Sequence, residues 1–274
     1  VTFVIEHDSM SIQPIEDVVV YIKGKYDTVT YDGSRHTIRG YVATCEHPNY
    51  DVFEDLMYVG LNKQATGIQI GFYPMDLDSL DFRNINPNYA NVHFVVEDGY
   101  LQIEKCTDPI VIRANDDYKV YDGRPLWNDG FSYSSDRLDE IGDIIVAVIE
   151  GSITEVGTIN NQVVSYKIYD KNGVDVTKNY SNVELVDGVL QVNPRTIILT
   201  SASDTKEYDG EPLTNFEVYV SGDSLAFCDT LIFNVTGSQL DSGSSLNEFT
   251  YEMIGNEFLL NNYKIEVVYG ELTV

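Results

Sequence analysis

Histidine is the side chain best suited to proton transfer near neutral pH, and the four present, His7, His36, His47 and His93, all fall in the first third of the chain. None sits with a serine or cysteine in a nucleophile-like context. Neither His-Glu-x-x-His nor a paired Cys-x-x-Cys metal signature occurs. The 44 acidic residues make carboxylate pairs so abundant that spacing nominates no particular acid and base. Asp76, Asp78 and Asp81 form a short acidic cluster, but it lacks the glycine and the closing glutamate of a helical calcium loop, so it reads as a solvated loop, with adventitious calcium as the alternative. Gly151-Ser152 to Gly157, and Gly237-Ser238 to Gly243, have a glycine spacing like that of a phosphate cradle. No Gly-Lys-Ser/Thr follows and no helix is expected there, so that reading fails. Lys119 and Lys206 stand at comparable places and could each join an asparagine in a stiffening cross-link, although the first third has no clear equivalent. Trp127, the sole tryptophan, could stack on a sugar ring with exposed tyrosines; core or hinge packing is the competing reading. The residues therefore predict no catalytic site, no cofactor and no metal centre. An enzyme hidden in the irregular 41–90 stretch would need a pocket holding His36 or His47 with paired carboxylates.

The elements that would position any such residues are repeated. Tyr31-Asp32-Gly33, Tyr121-Asp122-Gly123 and Tyr208-Asp209-Gly210 are copies of one tripeptide, 90 and 87 residues apart. Each is followed by glycines (Gly60 and Gly67; Gly151 and Gly157; Gly237 and Gly243), then by an Asn-Tyr pair ending in Tyr89, Tyr180 or Tyr263. Each copy closes on Gly-x-Leu-x-aliphatic, beginning at Gly99, Gly188 and Gly270. A fixed period of this length marks a tandem array. In the tripeptide, aspartate can accept from the amide two residues on and glycine can take positive φ. The tyrosine ring can pack inward with its hydroxyl at a rim partner. A strand-ending turn with an aromatic anchor is the expected role, a structural one.

Composition agrees with a folded β protein. Hydrophobic residues make up 43%, ordinary for a globular chain, and the 20 tyrosines favour strands. A net charge of −27 repels nucleic-acid phosphate and anionic lipid, so neither is an expected partner. Cys45, Cys106 and Cys228 fall at different places in the repeat, so no disulfide framework recurs and reduced, buried thiols are expected. No apolar run reaches the length of a membrane span, and no signal-peptide pattern opens the chain.

In chain order, residues 1–14 match the strand–turn–strand of the later repeat ends and read as the closing hairpin of a preceding copy, or else as an extra strand. Three units follow, at 15–105, 106–194 and 195–274. Val18 to Ile22 is a continuous apolar run suited to a buried strand, and Ile144 to Ile149 is the most strand-like run of the second unit. No unit contains a convincing amphipathic helix. The expectation is an all-β fold of three tandem small modules, each an immunoglobulin-like sandwich or a β-grasp-like unit. Short junctions such as Asn193-Pro194-Arg195 imply an extended, monomeric rod.

Taken together, Tyr-Asp-Gly-x-Pro-Leu, Gly-Asp, Gly-Ser-x-x-x-x-Gly-x-x-x-Asn, Asn-Tyr and Gly-x-Leu-x-Val resemble the tandem YDG- and MBG-type repeats of bacterial cell-surface proteins. The third copy fits best (Tyr208 to Leu213, Gly222-Asp223, Gly237 to Asn247, Asn262-Tyr263, Gly270 to Val274) and the second nearly as well. The first departs, with Ser34-Arg35 in place of x-Pro. The resemblance implies a secreted or surface-displayed, adhesin-like protein in which the repeats are stalk or adhesive modules. Host or cell-wall glycans, or surface proteins, would be the partners. A carbohydrate-binding accessory region of a surface glycosidase is the alternative, and the family has no catalytic residues to transfer.

Overall fold

The structure is a computed structural model and describes residues 12–15, 17–61, 63–227, 229–254 and 259–274. The expectation for residues 1–14 falls almost wholly outside the described residues, as do His7 and Cys228. The described part is predominantly β, in many small sheets. By contact it forms two compact units. One comprises the residues up to Pro109 with Ser135–Ile144 and Ile168–Val183; the other comprises Ile110–Ser134, Ile145–Lys167 and Glu184–Val274.

One pairing scheme recurs at the period of the sequence. The opening strands Val18–Gly24, Ile110–Ala114 and Arg195–Ser201 each lie at the centre of a three-stranded sheet. On one side lie Tyr41–Cys45, Phe131–Ser134 and Val218–Gly222, paired antiparallel. On the other lie Val92–Glu97, Val183–Val186 and Tyr263–Val268. The first and third of these pairs are parallel, in register Val20 with Phe94 and Ile197 with Ile265. The chain then crosses to a second sheet. There Tyr26–Thr30, Asp117–Val120 and Asp204–Thr205 run parallel to the closing strands Tyr100–Glu104, Gly188–Asn193 and Gly270–Thr273. These parallel pairs differ from the antiparallel sheets of an immunoglobulin sandwich.

The crossing explains the Gly-x-Leu motif. A Cβ on Gly188 would lie 2.4 Å from the Asn115 carbonyl oxygen, and one on Gly270 would lie 2.4 Å from that of Ala202. Two backbones touch where the sheets exchange strands, and only glycine leaves room. Leu101, Leu190 and Leu272, two residues on, are 1%, 0% and 0% exposed and form the core beside the crossing.

The asparagine of the glycine-rich element clamps the same crossing. Asn161 Nδ2 donates to the carbonyls of Asn115 and Asn128, at 3.0 and 2.8 Å. Asn247 Nδ2 donates to those of Ala202 and Asn215, both at 2.9 Å. Both side chains are buried. Gly151 and Gly237 make space for them: a Cβ there would meet the asparagine Oδ1 at 2.8 and 2.3 Å. Asn247→Ala would strip a buried carbonyl and a half-buried one of their donor and is expected to lose about 2 kcal/mol, read by denaturant titration. A loss below about 0.5 kcal/mol would contradict the clamp.

Two sequence expectations are corrected. Val18–Gly24 is buried on one face only: Val18, Val20 and Ile22 are inside while Tyr21 is exposed, because its three-stranded sheet has one face in water. A short α-helix, Asp136–Ile141, also stands in the second repeat. Ser135 caps it by accepting from the Leu138 amide, and Gly142 ends it in the left-handed conformation.

Candidate functional site

Each Tyr-Asp-Gly motif is a compact turn. Asp32, Asp122 and Asp209 Oδ1 accept from the amides of Ser34, Arg124 and Glu211, at 2.8, 3.0 and 3.0 Å. The glycines carry positive φ of 72°, 77° and 82°, a conformation that other L-residues adopt at a cost. The two lysines considered for cross-linking hold this turn instead. Lys119 Nζ meets Asp122 and the Arg124 carbonyl; Lys206 Nζ lies 2.7 Å from Asp209 and 2.6 Å from the Glu211 carbonyl. Their hydrogen bonds are the largest influence on both carboxyls and hold them below the usual aspartate range. In the first repeat His36 Nε2 takes the lysine's role, 2.9 Å from Asp32 Oδ1.

The tyrosines of the turns have different environments. Tyr31 and Tyr121 are 1% and 3% exposed, whereas Tyr208 is 65% exposed. Tyr31 is buried against the following repeat. Its ring meets that of Tyr180 edge to face, 5.6 Å between centroids, and both hydroxyls donate to Asp143 Oδ2, at 3.3 and 2.7 Å. Tyr121 does the same one repeat later. Its ring meets Tyr263 edge to face at 5.7 Å, and its hydroxyl faces Asp229 and Asn262. Tyr263 donates to Asp229 Oδ2 at 2.6 Å and accepts from the Ala226 amide at 2.8 Å.

The asparagines of the second and third Asn-Tyr pairs reach back into the glycine-rich loop of the repeat before them. Asn179 Nδ2 donates to Gln69 Oε1 at 2.6 Å, while Asn262 accepts from the Val156 amide at 2.9 Å and contacts Glu155. The motif glycine also abuts the next repeat: a Cβ on Gly33 would lie 2.6 Å from Ile141 Cγ2, and one on Gly123 would lie 3.3 Å from the Phe227 carbonyl oxygen. Around Tyr121 the packing is continuous. Leu126, Leu190 and Val192 of the second repeat share one apolar cluster with Ile197, Leu199, Phe249 and Tyr263 of the third. The first joint lies within one compact unit and the second within the other.

Burial sets the electrostatics of these joints. It pushes the Tyr31 hydroxyl up to about 12, with Asp143 adding to the effect, and raises Tyr121, Tyr180 and Tyr263 as well. Burial also raises Asp143, against the pull of its two tyrosine donors. A phenol whose folded value lies above its unfolded one contributes stability fully below about pH 10 and loses it as pH rises through the folded value. In an alkaline titration followed by phenolate absorbance and circular dichroism, the joint tyrosines are expected to ionise only above about pH 10, together with unfolding. Ionisation of every tyrosine near pH 10 in a chain that stays folded would contradict the buried joints.

The sequence aligned Gly222-Asp223 with Gly142-Asp143, but the residue that takes the place of Asp143 is Asp229. Each of these two stands one residue before a strand, Ile144–Glu150 and Thr230–Val235. Asp223 instead accepts from the Thr196 amide at 3.0 Å. The signal that identifies Asp229 is its position against the strand, not the preceding glycine.

The first repeat is built differently: the Tyr89 hydroxyl donates to the Asn49 carbonyl, and the Asp55 carboxylate accepts from the Asp51 amide and Asn86 Nδ2. Asp55 precedes the strand Leu56–Tyr58, and Tyr89 is buried nearby. The ring set against Tyr89 is Tyr50 of the same repeat, at 5.0 Å and 68°. Tyr50 is 6% exposed, and its hydroxyl donates to Asn84 Oδ1 at 3.3 Å.

The remaining candidates carry less chemistry. Lys63 sits 2.7 Å from Asp81 within the acidic cluster, and Asp78 caps the turn Ser79–Asp81. Among the described residues no three His, Cys, Asp or Glu side chains converge as metal ligands. A cavity of about 490 Å³ in the first repeat is lined by Arg39, Tyr41, Tyr58, Lys63, Met75 and Leu77, with Gly40 and Gln64; among the described residues no histidine or carboxylate lines it. His47 packs on Tyr89, and His93 lies in the strand Val92–Glu97. Cys45 is half-buried and Cys106 buried, both as free thiols, and burial raises Cys106. Trp127 is exposed. Tyr26, Tyr100 and Phe72 form a cross-strand aromatic row with centroids 5.4 and 5.0 Å apart. No helix among the described residues is long and apolar enough to cross a membrane. No family model matches the chain, and no curated protein does.

Proposed function

We propose that this chain is a non-catalytic structural array: three small β repeats at 15–105, 106–194 and 195–274, joined end to end as an extended rod. It would serve as the stalk or adhesive region of a bacterial cell-surface protein and act outside the cell. The observation that supports this reading most strongly is the recurrent joint. One motif tyrosine, at the same place in successive repeats, is buried against the tyrosine and aspartate of the next. A joint with a shared apolar cluster resists hinge motion, as a stalk requires and a flexible linker does not. The groups that could do chemistry are already engaged in structure: His36 and both motif lysines hold turns, and Lys63 is bound to Asp81. The acidity and the resemblance of the motifs to surface-protein repeats support the location.

Small-angle X-ray scattering tests the rod. A compact body of this length would have a radius of gyration of about 19 Å. The array is expected to lie well above that, with a cross-section independent of concentration, and a value near 19 Å would overturn it.

A second reading, a glycan-binding accessory region, is favoured by the exposure of Trp127. Its test is quenching or a shift of Trp127 fluorescence across a glycan panel. A saturable change lost in Trp127→Ala would establish it, and a flat response would remove it.

A further inference from the structure

Three motif tyrosines are present, and two of them are buried in sockets. Each socket pairs an Asn-Tyr tyrosine with the aspartate that precedes a strand: Tyr180 with Asp143 and Tyr263 with Asp229. Tyr31 fills the first of these and Tyr121 the other. That leaves Tyr208. Its turn has the same aspartate bond and positive φ at glycine as the other two, and the same lysine brace as that of Tyr121. It nevertheless stands 65% exposed with no hydrogen bond among the described residues, and a Cβ on Gly210 would meet nothing within 4 Å. The loop beside it corresponds to the one that Asn179 and Asn262 reach into from the following repeat; here it exposes Leu240.

We propose that Tyr208 is an unfilled docking residue for one further repeat of this kind, a module with a buried tyrosine and a strand-preceding aspartate. The occupant is specified by the two joints already formed. An exposed phenol on a rigid, braced turn is preorganised for a socket that places a second ring edge-on and a carboxylate at the hydroxyl. An unrelated partner would not need the lysine brace, the open glycine and the empty loop all to repeat the geometry of Tyr121. The proposal rests on the array reading but makes a separate demand on one residue.

The test extends the full chain by appending residues 193–274 after Val274, with Tyr208→Phe in the appended copy so that its peptide is distinguishable; this reproduces the junction that precedes the third repeat. Nitration by tetranitromethane, read at Tyr208 by peptide mapping, is expected to slow by about tenfold or more relative to the original chain, as burial in a closed joint requires. Tyr208→Ala, silent in the original chain, should lower the melting temperature of the extended one. An appended repeat that folds while Tyr208 stays as reactive as before overturns the proposal, and so does one that fails to fold. A compact scattering profile would remove the array reading itself, whatever Tyr208 does.

Discussion

Tyr121→Ala is expected to destabilise the chain by about 3–5 kcal/mol, and Tyr208→Ala by less than about 0.5 kcal/mol. The two tyrosines occupy the same place in the same motif, with the same turn beneath them. They differ in what surrounds the ring. Tyr121 is 3% exposed, edge-on to Tyr263, and packed in a cluster with Leu126, Leu190, Ile197 and Phe249. Truncation removes an aromatic ring from a close-packed interior and leaves a cavity between two repeats. It also strips Asp229 and Asn262 of the hydroxyl that faces them. Tyr208 loses only solvent contact. Guanidinium denaturation of the two variants beside the parent gives the comparison, and equal losses at the two positions would contradict the assignment of Tyr121 to a joint.

Gly270→Ala is the second large effect, with an expected loss of about 3 kcal/mol, toward the upper end of overpacking costs. The added methyl would lie 2.4 Å from the Ala202 oxygen and 2.5 Å from that of Ser201. Both are backbone atoms, so no side chain can swing away. Ser201 is itself fixed: its Oγ accepts from the Gly270 amide at 3.0 Å and donates to the Asn247 carbonyl at 2.6 Å. Relief would require the crossing strands to part and break these bonds. Gly210→Ala offers a control in which only conformation is at stake. Its φ is 82° and the space around it is open, so the cost is the left-handed strain of about 1–2 kcal/mol. A Gly270 variant no less stable than the Gly210 variant, in denaturant or thermal unfolding, would show that the backbones are not in contact at the crossing.

These cases mark where the sequence is legible. A turn is local chemistry: an aspartate two residues from its acceptor amide and a glycine with free φ can be read from three letters. The all-β character follows from alternation and turn spacing in the same way. The destination of the tyrosine is not local. Tyr31 meets an aspartate 112 positions away, and no spacing within one repeat encodes a contact made with the next. Asp223 was the natural match to Asp143 because both follow a glycine. The helix Asp136–Ile141 places Asp143 directly against its strand, whereas in the third repeat that position belongs to Asp229. The helix itself is too short to show a hydrophobic period, and only Ser135 and Gly142 at its ends mark it. Tyr50 was hidden in the irregular 41–90 stretch, where no motif singles it out. A cavity beside the same stretch is lined by Arg39, Lys63, aromatic and aliphatic side chains.

The central claim is that the motif tyrosine of one repeat and the Asn-Tyr tyrosine of the next act as a pair. A double-mutant cycle on Tyr121→Ala and Tyr263→Ala, by guanidinium denaturation of the full chain, measures that pairing directly. The joint predicts a coupling of about 1–3 kcal/mol, so that the double variant loses clearly less than the two single losses combined. Losses that add to within about 0.5 kcal/mol would mean that the two rings stabilise the chain independently, and the joint would not exist.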